Sequence, residues 1–552
     1  MSRSQPRSAS RRPLVAATAL TMVAALSACA GGAAAGADGG GAPLDGGTVV
    51  YGHQQEPECV FGGWIEQAYL SYQVLDSLTS LDEDGTAVPW LAESWEASDD
   101  GLTWTFHLKE GVRFTDGTAL TAGVVAYNFD WWVADGGNST ARAWLTPYYE
   151  SAEAVDDTTL VLHLTAPYPR LAETVAQGYF GIQSQQALET RSEAENCEAP
   201  IGSGAFVVEE WNRGQNIVLA RNDDYTSWPA NARHEGPAKV EEVDWRFVPD
   251  ATTRTASLRS GETDAIYDVP AVEWDSVGEA GFERLRFVTP GRPQQLSFNT
   301  RQGPFTDEAV RKAFAYSLDR QQIVETIGRG LIPYEGNGAV SRSTPGYSQA
   351  AADAYSYDPA EADRLLDEAG WTERDADGFR TKDGERLHVV LPYGAGSIIN
   401  ADGAAILQGV KEQAKAVGFD VELVPVPRSE LLAGAYTKPD ERDLQVGYWT
   451  SVTAGILWIT WRSDTPEAPN GSNGAFYADA DLDALILEAN SEPDVERQQE
   501  LYRQAQEHIA DRALSIGLYD RLSTLAVAPH LKEVWQEHAQ GGPVFHDAYL
   551  VG

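Results

Sequence analysis

Apolar and polar residues alternate along several short stretches of the chain, each bounded by turn-forming residues. LTWTFHL (residues 102–108) alternates after SDDG, and TLVLHL (159–164) alternates again. FDVELVPV (419–426) follows GAAILQGVKEQAKAVG, which reads as a helix. DPAEADRLLDEAG (358–370) carries full helix punctuation: Asp358 as N-cap, Pro359 at the first helical position, Glu361 in the first turn and Gly370 as the stop. TDEAVRKAFAYSL (306–318) sets Val310, Phe314 and Leu318 on one face, with acids in its first turn. Strands edged by helices predict a mixed α/β chain without internal repeats.

One stretch breaks the pattern. GYWTSVTAGILWITW (447–461) carries no charge and is bounded by Arg442, Asp443, Arg462 and Asp464. A helix that spans a bilayer needs about 20 mostly apolar residues, so this stretch is too short to cross one. It is either buried core or the wall of a binding site. Tyr448, Trp449, Trp458 and Trp461 suit stacking on sugar rings, planar groups or apolar side chains. Trp458 and Trp461 are expected on a following helix, where they also read as core filling.

The N-terminus has Arg3, Arg7, Arg11 and Arg12 without an acid, then an apolar run over residues 14–26, then LSAC ending at Cys29. This is the layout of an export signal. LSAC resembles the lipobox of bacterial lipoproteins, which implies a signal peptide over residues 1–28 and a lipid on Cys29. Residues 29–47 are nearly all Ala and Gly and read as a flexible tether about 20 to 25 Å long by random-coil scaling. The protein is therefore expected outside the cytoplasm, lipid-anchored to the outer face of the cytoplasmic membrane. Cys59 and Cys197 are expected to form a disulfide there. Closing so long a loop stabilises by about 4 to 5 kcal/mol in the chain-entropy model.

A formal charge of -41 repels nucleic acid and anionic headgroups, and reads otherwise as solubility. No H-E-x-x-H, G-x-S-x-G, C-x-x-C or P-loop pattern occurs, and no two histidines stand three or four apart. Asp99 with Asp100 and Asp156 with Asp157 read as solvated turns. Zinc-hydrolase and nucleotide-dependent readings lose their support, and no catalytic residue, cofactor or metal ligand is singled out.

LAESWEASDDGLTWTFHLKEGVRFTDGTALTA (91–122), PIGSGAFVVEEW (200–211), RNDDYTSWPA (221–230), TASLRSGETDAIYDV (255–269), FNTRQGPFTDEAVRKAFAYSLDRQQIV (298–324) and DLDALILEANSEPDVERQQELYRQAQEHIAD (481–511) follow one another along the chain. Together they resemble the family 5 solute-binding proteins, which include the dipeptide-, oligopeptide- and nickel-binding components of ABC importers. The resemblance implies an α/β, two-lobed periplasmic-binding-protein-like fold (class II, cluster C type) with an extra subdomain in the first lobe. It places lobe I at residues 48–290 plus 520–552, the subdomain near 82–199, and lobe II at 291–519. It implies a monomer that captures a small solute (peptide, oligosaccharide or similar) and delivers it to ABC permease subunits. A sensor or chaperone on the same scaffold, or a secreted hydrolase, are the alternatives.

In peptide-binding members, one strand ends in an aspartate that pairs with the ligand's α-amino group. DLQVGYW (443–449) matches that strand, and the aspartate position falls on Val452, with no acid between Asp443 and Asp464. An ammonium buried against valine stays unpaired unless another carboxylate, such as Glu56, stands in. By the same resemblance His53, Gln54, Gln55, Asn299, Tyr448, Trp449, Thr450, Trp458 and Tyr519 face the ligand. Arg428 falls where an oligopeptide-binding member has a tryptophan; it reads either as a partner for a carboxylate or phosphate or as a surface arginine.

Overall fold

The computed structural model describes residues 42–44, 46–134, 139–334, 336, 338–396, 398–465 and 468–552. The export signal, Cys29 and most of the tether lie outside them.

Two sheets organise these residues. The larger has seven strands, in the order Glu283–Val288, Leu522–Val527, Ala265–Tyr267, Thr48–His53, Glu242–Phe247, Asn216–Arg221 and Phe206–Asn212. Thr48–His53 runs parallel to both of its neighbours. A parallel strand is covered on both faces, and Val49 and Tyr51 are accordingly buried in one core with Trp245, Phe206 and Leu525. His53 closes this strand, so Gln54 and Gln55 leave the sheet at its carboxyl end, where open α/β sheets present ligand-binding loops.

The smaller sheet orders Leu444–Thr450, Gly291–Phe298 and Ser515–Tyr519 antiparallel. One face is apolar: Leu296, Phe298, Leu444, Val446, Ile516 and Leu518 join Phe305, Phe314 and Phe419 in a second core. Beside it, His388–Gly394 and Asp420–Val426 pair in parallel. The chain leaves the large sheet after Val288, enters the small one at Gly291, and returns between Tyr519 and Leu522. The two crossings are tied together. Thr289 N–H donates to Arg521 O at 2.9 Å, and Arg521 Nη1 donates to Thr289 Oγ1 at 3.4 Å.

A separate four-stranded sheet, Ala92–Ala97, Thr103–Leu108, Thr159–Leu164 and Tyr149–Ala154, packs Phe106, Leu160 and Leu162 against Phe129 and Trp132 of the helix Ala122–Ala134. Its core runs on without a break into the helices Ile456–Trp461, Ala480–Ser491 and Val495–Asp511. The helix punctuation holds at Pro359–Glu368: Asp358 accepts from Ala360 N–H at 3.1 Å and Glu361 N–H at 3.0 Å, and Gly370 takes φ 88°, which favours glycine.

The helix Ile65–Val74 is held at its C-terminal end by Asp76, a buried carboxylate that accepts hydrogen bonds from Ser203 at 2.9 Å, Tyr225 at 3.4 Å and Ser227. Burial pushes this carboxyl up to about 6, against the downward pull of Ser227 and Ser203. A carboxyl raised above its unfolded value of about 3.9 makes the folded state bind the extra proton. The stability it contributes is present below that value and lost as pH rises through about 6. Two pH units correspond to about 3 kcal/mol. Urea denaturation should therefore show Asp76→Asn gaining on the wild type by about 3 kcal/mol between pH 4 and pH 7. A stability gap that does not change with pH contradicts the assignment.

Candidate functional site

At the carboxyl end of the central strand, His53 sits in an aromatic nest, stacked on Tyr267 at 4.8 Å and tilted against Trp245 at 5.4 Å. Burial pulls its imidazole down to about 3, so the ring is neutral at neutral pH. Nδ1 lies 3.2 Å from Gln55 O and 3.4 Å from Gln55 N, and Nε2 is buried and unpaired. Gln55 Nε2 is likewise without a partner.

Almost every side of the helix Ile65–Val74 is covered, which brings an acid indoors: Glu66 is 3% exposed. The helix begins at Trp64, whose N–H donates to Gln67 Oε1 at 2.9 Å. Across from it Arg428, after Pro427, opens the helix Arg428–Leu432. Its guanidinium lies over the Trp64 ring at 4.9 Å and 3.7 Å from Glu66 Oε2. Nε, Nη1 and Nη2 are all buried and make no hydrogen bond, and Glu66 Oε2 makes none either. A guanidinium has five N–H donors, and a charged group taken from water without acceptors costs several kcal/mol. This is the least satisfied charged pair of the cleft.

Tyr448 forms the neighbouring wall, its ring 4.6 Å from the Arg521 guanidinium. Arg521 donates to Tyr267 OH at 2.5 Å and Tyr69 OH at 3.3 Å. Tyr519, Gln54 and Gln294 line a cavity of about 40 Å³ with Tyr267, Asp268 and Asn400, room for about one water. Thr450 Oγ1 is buried and unpaired.

The structure thus gathers His53, Gln54, Gln55, Arg428, Tyr448, Thr450 and Tyr519 around the junction of the lobes, and it relocates other candidates. Asn299 is 0% exposed. Its amide donates to Pro439 O and Arg442 O at 2.7 Å and accepts from Arg301 and Gln302 N–H, so it fastens two turns and has nothing left for a ligand. Trp461 lies within the core, and Trp458 and Trp449 pack against it. Val452 packs against Leu81, Ala176 and Ala539, so the aspartate position of the strand is covered by apolar groups. Glu56 accepts from Trp211 Nε1 at 2.8 Å and Gly214 N–H at 3.1 Å, and is no stand-in carboxylate. The buried carboxylate beside Arg428 is Glu66, 3.7 Å away. The sequence hides it as an acid on a helix, which reads as exposed.

Among the described residues one cluster has metal-ligand chemistry, His234, His546 and Asp547. Its imidazoles stack 4.2 Å apart, and both turn Nδ1 to Asp547 Oδ1, at 2.9 Å from His234 and 3.2 Å from His546, so the three side chains are tied to one another.

Comparison with known proteins identifies the fold and the family. The family model described as bacterial extracellular solute-binding proteins, family 5 Middle, matches residues 86–481. The chain belongs to this family. It is 28% identical over 374 residues to the nickel-binding periplasmic protein of Escherichia coli K12, covering 66% of this chain and 68% of that one. It is 27% identical over 522 residues to the oligopeptide-binding protein AppA of Bacillus subtilis 168, covering 92% and 93%. The solved structure of AppA with a nonapeptide superposes with a TM-score of 0.78 at 23% identity, covering 92% of this chain and all of that one. AgaA of A. tumefacien R10 with agropinic acid gives 0.75 at 24%, covering 91% and 96%. The architecture is the two-lobed α/β fold of these binding proteins, and the protein is a solute-binding protein of family 5. No helix among the described residues is long and apolar enough to cross a membrane.

Next to Trp64, the thiols of Cys59 and Cys197 are free neighbours: Cys59 Sγ stands 3.3 Å from Cys197 O, and Cys197 Sγ 3.4 Å from Glu58 O. Oxidation during export should join them. Protein denatured without reduction should take up no thiol label at either position; labelling of both contradicts the bridge.

Proposed function

We propose that the chain is a monomeric receptor for a small organic solute bearing a carboxylate or another oxyanion, and that Arg428 receives that group. Residues 1–28 direct export, Cys29 bears the lipid, and residues 29–47 tether the binding unit to the outer face of the cytoplasmic membrane. Lobe I (48–290 with 520–552, including the subdomain near 82–199) and lobe II (291–519) close on the solute and pass it unchanged to the ABC permease. No chemical step is catalysed.

The observation that supports this reading is the state of Arg428: buried, stacked on Trp64, and without a hydrogen bond on any nitrogen. A carboxylate or phosphate supplies the paired acceptors that a guanidinium fork fits. Glu66, 3.7 Å away, is placed to take an ammonium on the same solute, a role for which Val452 offers no charge. Tyr448 and His53 complete the walls, one as an aromatic face and the other as a neutral imidazole.

Mass spectrometry of the solute released on denaturing the protein purified from its host should find a molecule with an acidic group. Hydrogen bonds to a charged group contribute about 1.5 to 3 kcal/mol, so Arg428→Gln should weaken that molecule's binding roughly ten- to hundred-fold by calorimetry. A neutral solute, or affinity untouched by the substitution, contradicts the reading.

A further inference from the structure

Tyr448 and Trp449 are adjacent on one strand and point to opposite faces of the small sheet. Tyr448 meets Arg521; Trp449 faces away from it, with Arg292 directly across the antiparallel pair. Because Leu296, Phe298, Leu444, Val446 and Ile516 occupy the apolar face, alternation places Gln295, Ser297, Gln445 and Ser515 on the reverse face, and the bulge between Arg292 and Gln295 puts Arg292, opposite Trp449, there too.

That face is polar and buried. Gln295 is 1% exposed and Arg292 9%. Both amide atoms of Gln295, Oε1 of Gln445 and Oγ of Ser515 lack a partner. Arg292 makes no hydrogen bond or ion pair among the described residues, and its Nε is fully enclosed. Two glycines let other groups come close to this face: a Cβ at Gly447 would stand 3.2 Å from Arg292 Nη2, and one at Gly517, opposite Gln295, would stand 2.3 Å from Gly336 O.

The charge here is positive, with Glu441 acting on Arg442 alone. Burial alone pulls Arg292 down to about 10, with no acid acting on it. Arg442 is also pulled to about 10, by burial and then by the charge of Arg292. Its own Nε and Nη1 are bonded to Tyr436 O and Gly474 O, at 2.9 and 3.0 Å. Water can satisfy an amide or a hydroxyl, but a buried guanidinium beside a second cation calls for negative charge.

We propose that this reverse face is a second binding site, for an oxyanion, in which Arg292 supplies the charge and Gln295, Gln445 and Ser515 supply neutral hydrogen bonds. The group it takes is a carboxylate or a tetrahedral oxyanion. It comes either as a free ion or as one arm of the imported solute. The site does not depend on the role of Arg428, which lies on the cleft side of the same sheet.

The test titrates acetate, inorganic phosphate and glutarate into the full chain and its Arg292→Gln and Arg428→Gln variants, read by calorimetry and tryptophan fluorescence. The expected result is binding that Arg292→Gln weakens at least tenfold. If Arg428→Gln leaves that binding within threefold, the source is a free anion; if both substitutions weaken glutarate tenfold, the site receives a solute arm. Binding lost only in Arg428→Gln overturns this proposal while leaving the cleft reading intact. Absence of wild-type binding to all three probes means that water fills the face, and also overturns it. Arg292→Lys guards against misfolding: it should keep more of the binding than Arg292→Gln, and equal loss in both at unchanged melting temperature counts against a charge-based site.

Discussion

A guanidinium removed from water must be given oxygen acceptors, and the arginines of this chain divide according to whether the protein supplies them. Arg254 is 1% exposed and fully served: its nitrogens donate to the carbonyls of Val248, Pro249, Tyr267 and Asp268 and to the Asp268 carboxylate. Arg311 is fixed in the same way by Phe305, Arg512 and Ala513 carbonyls. These residues pin loops to the sheets that carry them. Arg428 and Arg292 are also enclosed but have no such acceptors: the buried nitrogens of Arg428 make no hydrogen bond and meet only the Glu66 charge at 3.7 Å, and Arg292 Nε has no partner. A fold that satisfies the first pair so completely leaves the second pair open for something it binds.

Between these groups stands Arg521, in the crossing that returns the chain to the large sheet. It bonds to tyrosine hydroxyls from the first lobe, to Thr289 in the other crossing, and lies on Tyr448 of the second lobe. Two short crossings tied to each other allow the lobes to rotate about a common line, the hinge geometry of binding proteins that close on a solute. In this structure Arg428 already lies on Trp64, 3.7 Å from Glu66.

Much of this was legible in the sequence. Strands at Thr103–Leu108 and Thr159–Leu164 show as alternation because one face is buried, and Pro359–Glu368 shows as a helix because its caps are local chemistry. Arg428 and Tyr448 were reachable because strand and helix starts keep their place in the chain. Asn299 was not, since an amide that closes turns reads the same as one that meets a ligand. Glu66 and Arg292 were also hidden. Their burial is set by segments hundreds of residues away, and no local pattern separates an enclosed charge from a solvated one.

The direct measurement is an experimental structure of the full chain with the solute that co-purifies with it. The account predicts an anionic oxygen of that solute within hydrogen-bonding distance of Arg428, with the Trp64 ring beneath the guanidinium. A solute seated elsewhere, with Arg428 bonded only to Glu66 or to water, would contradict it.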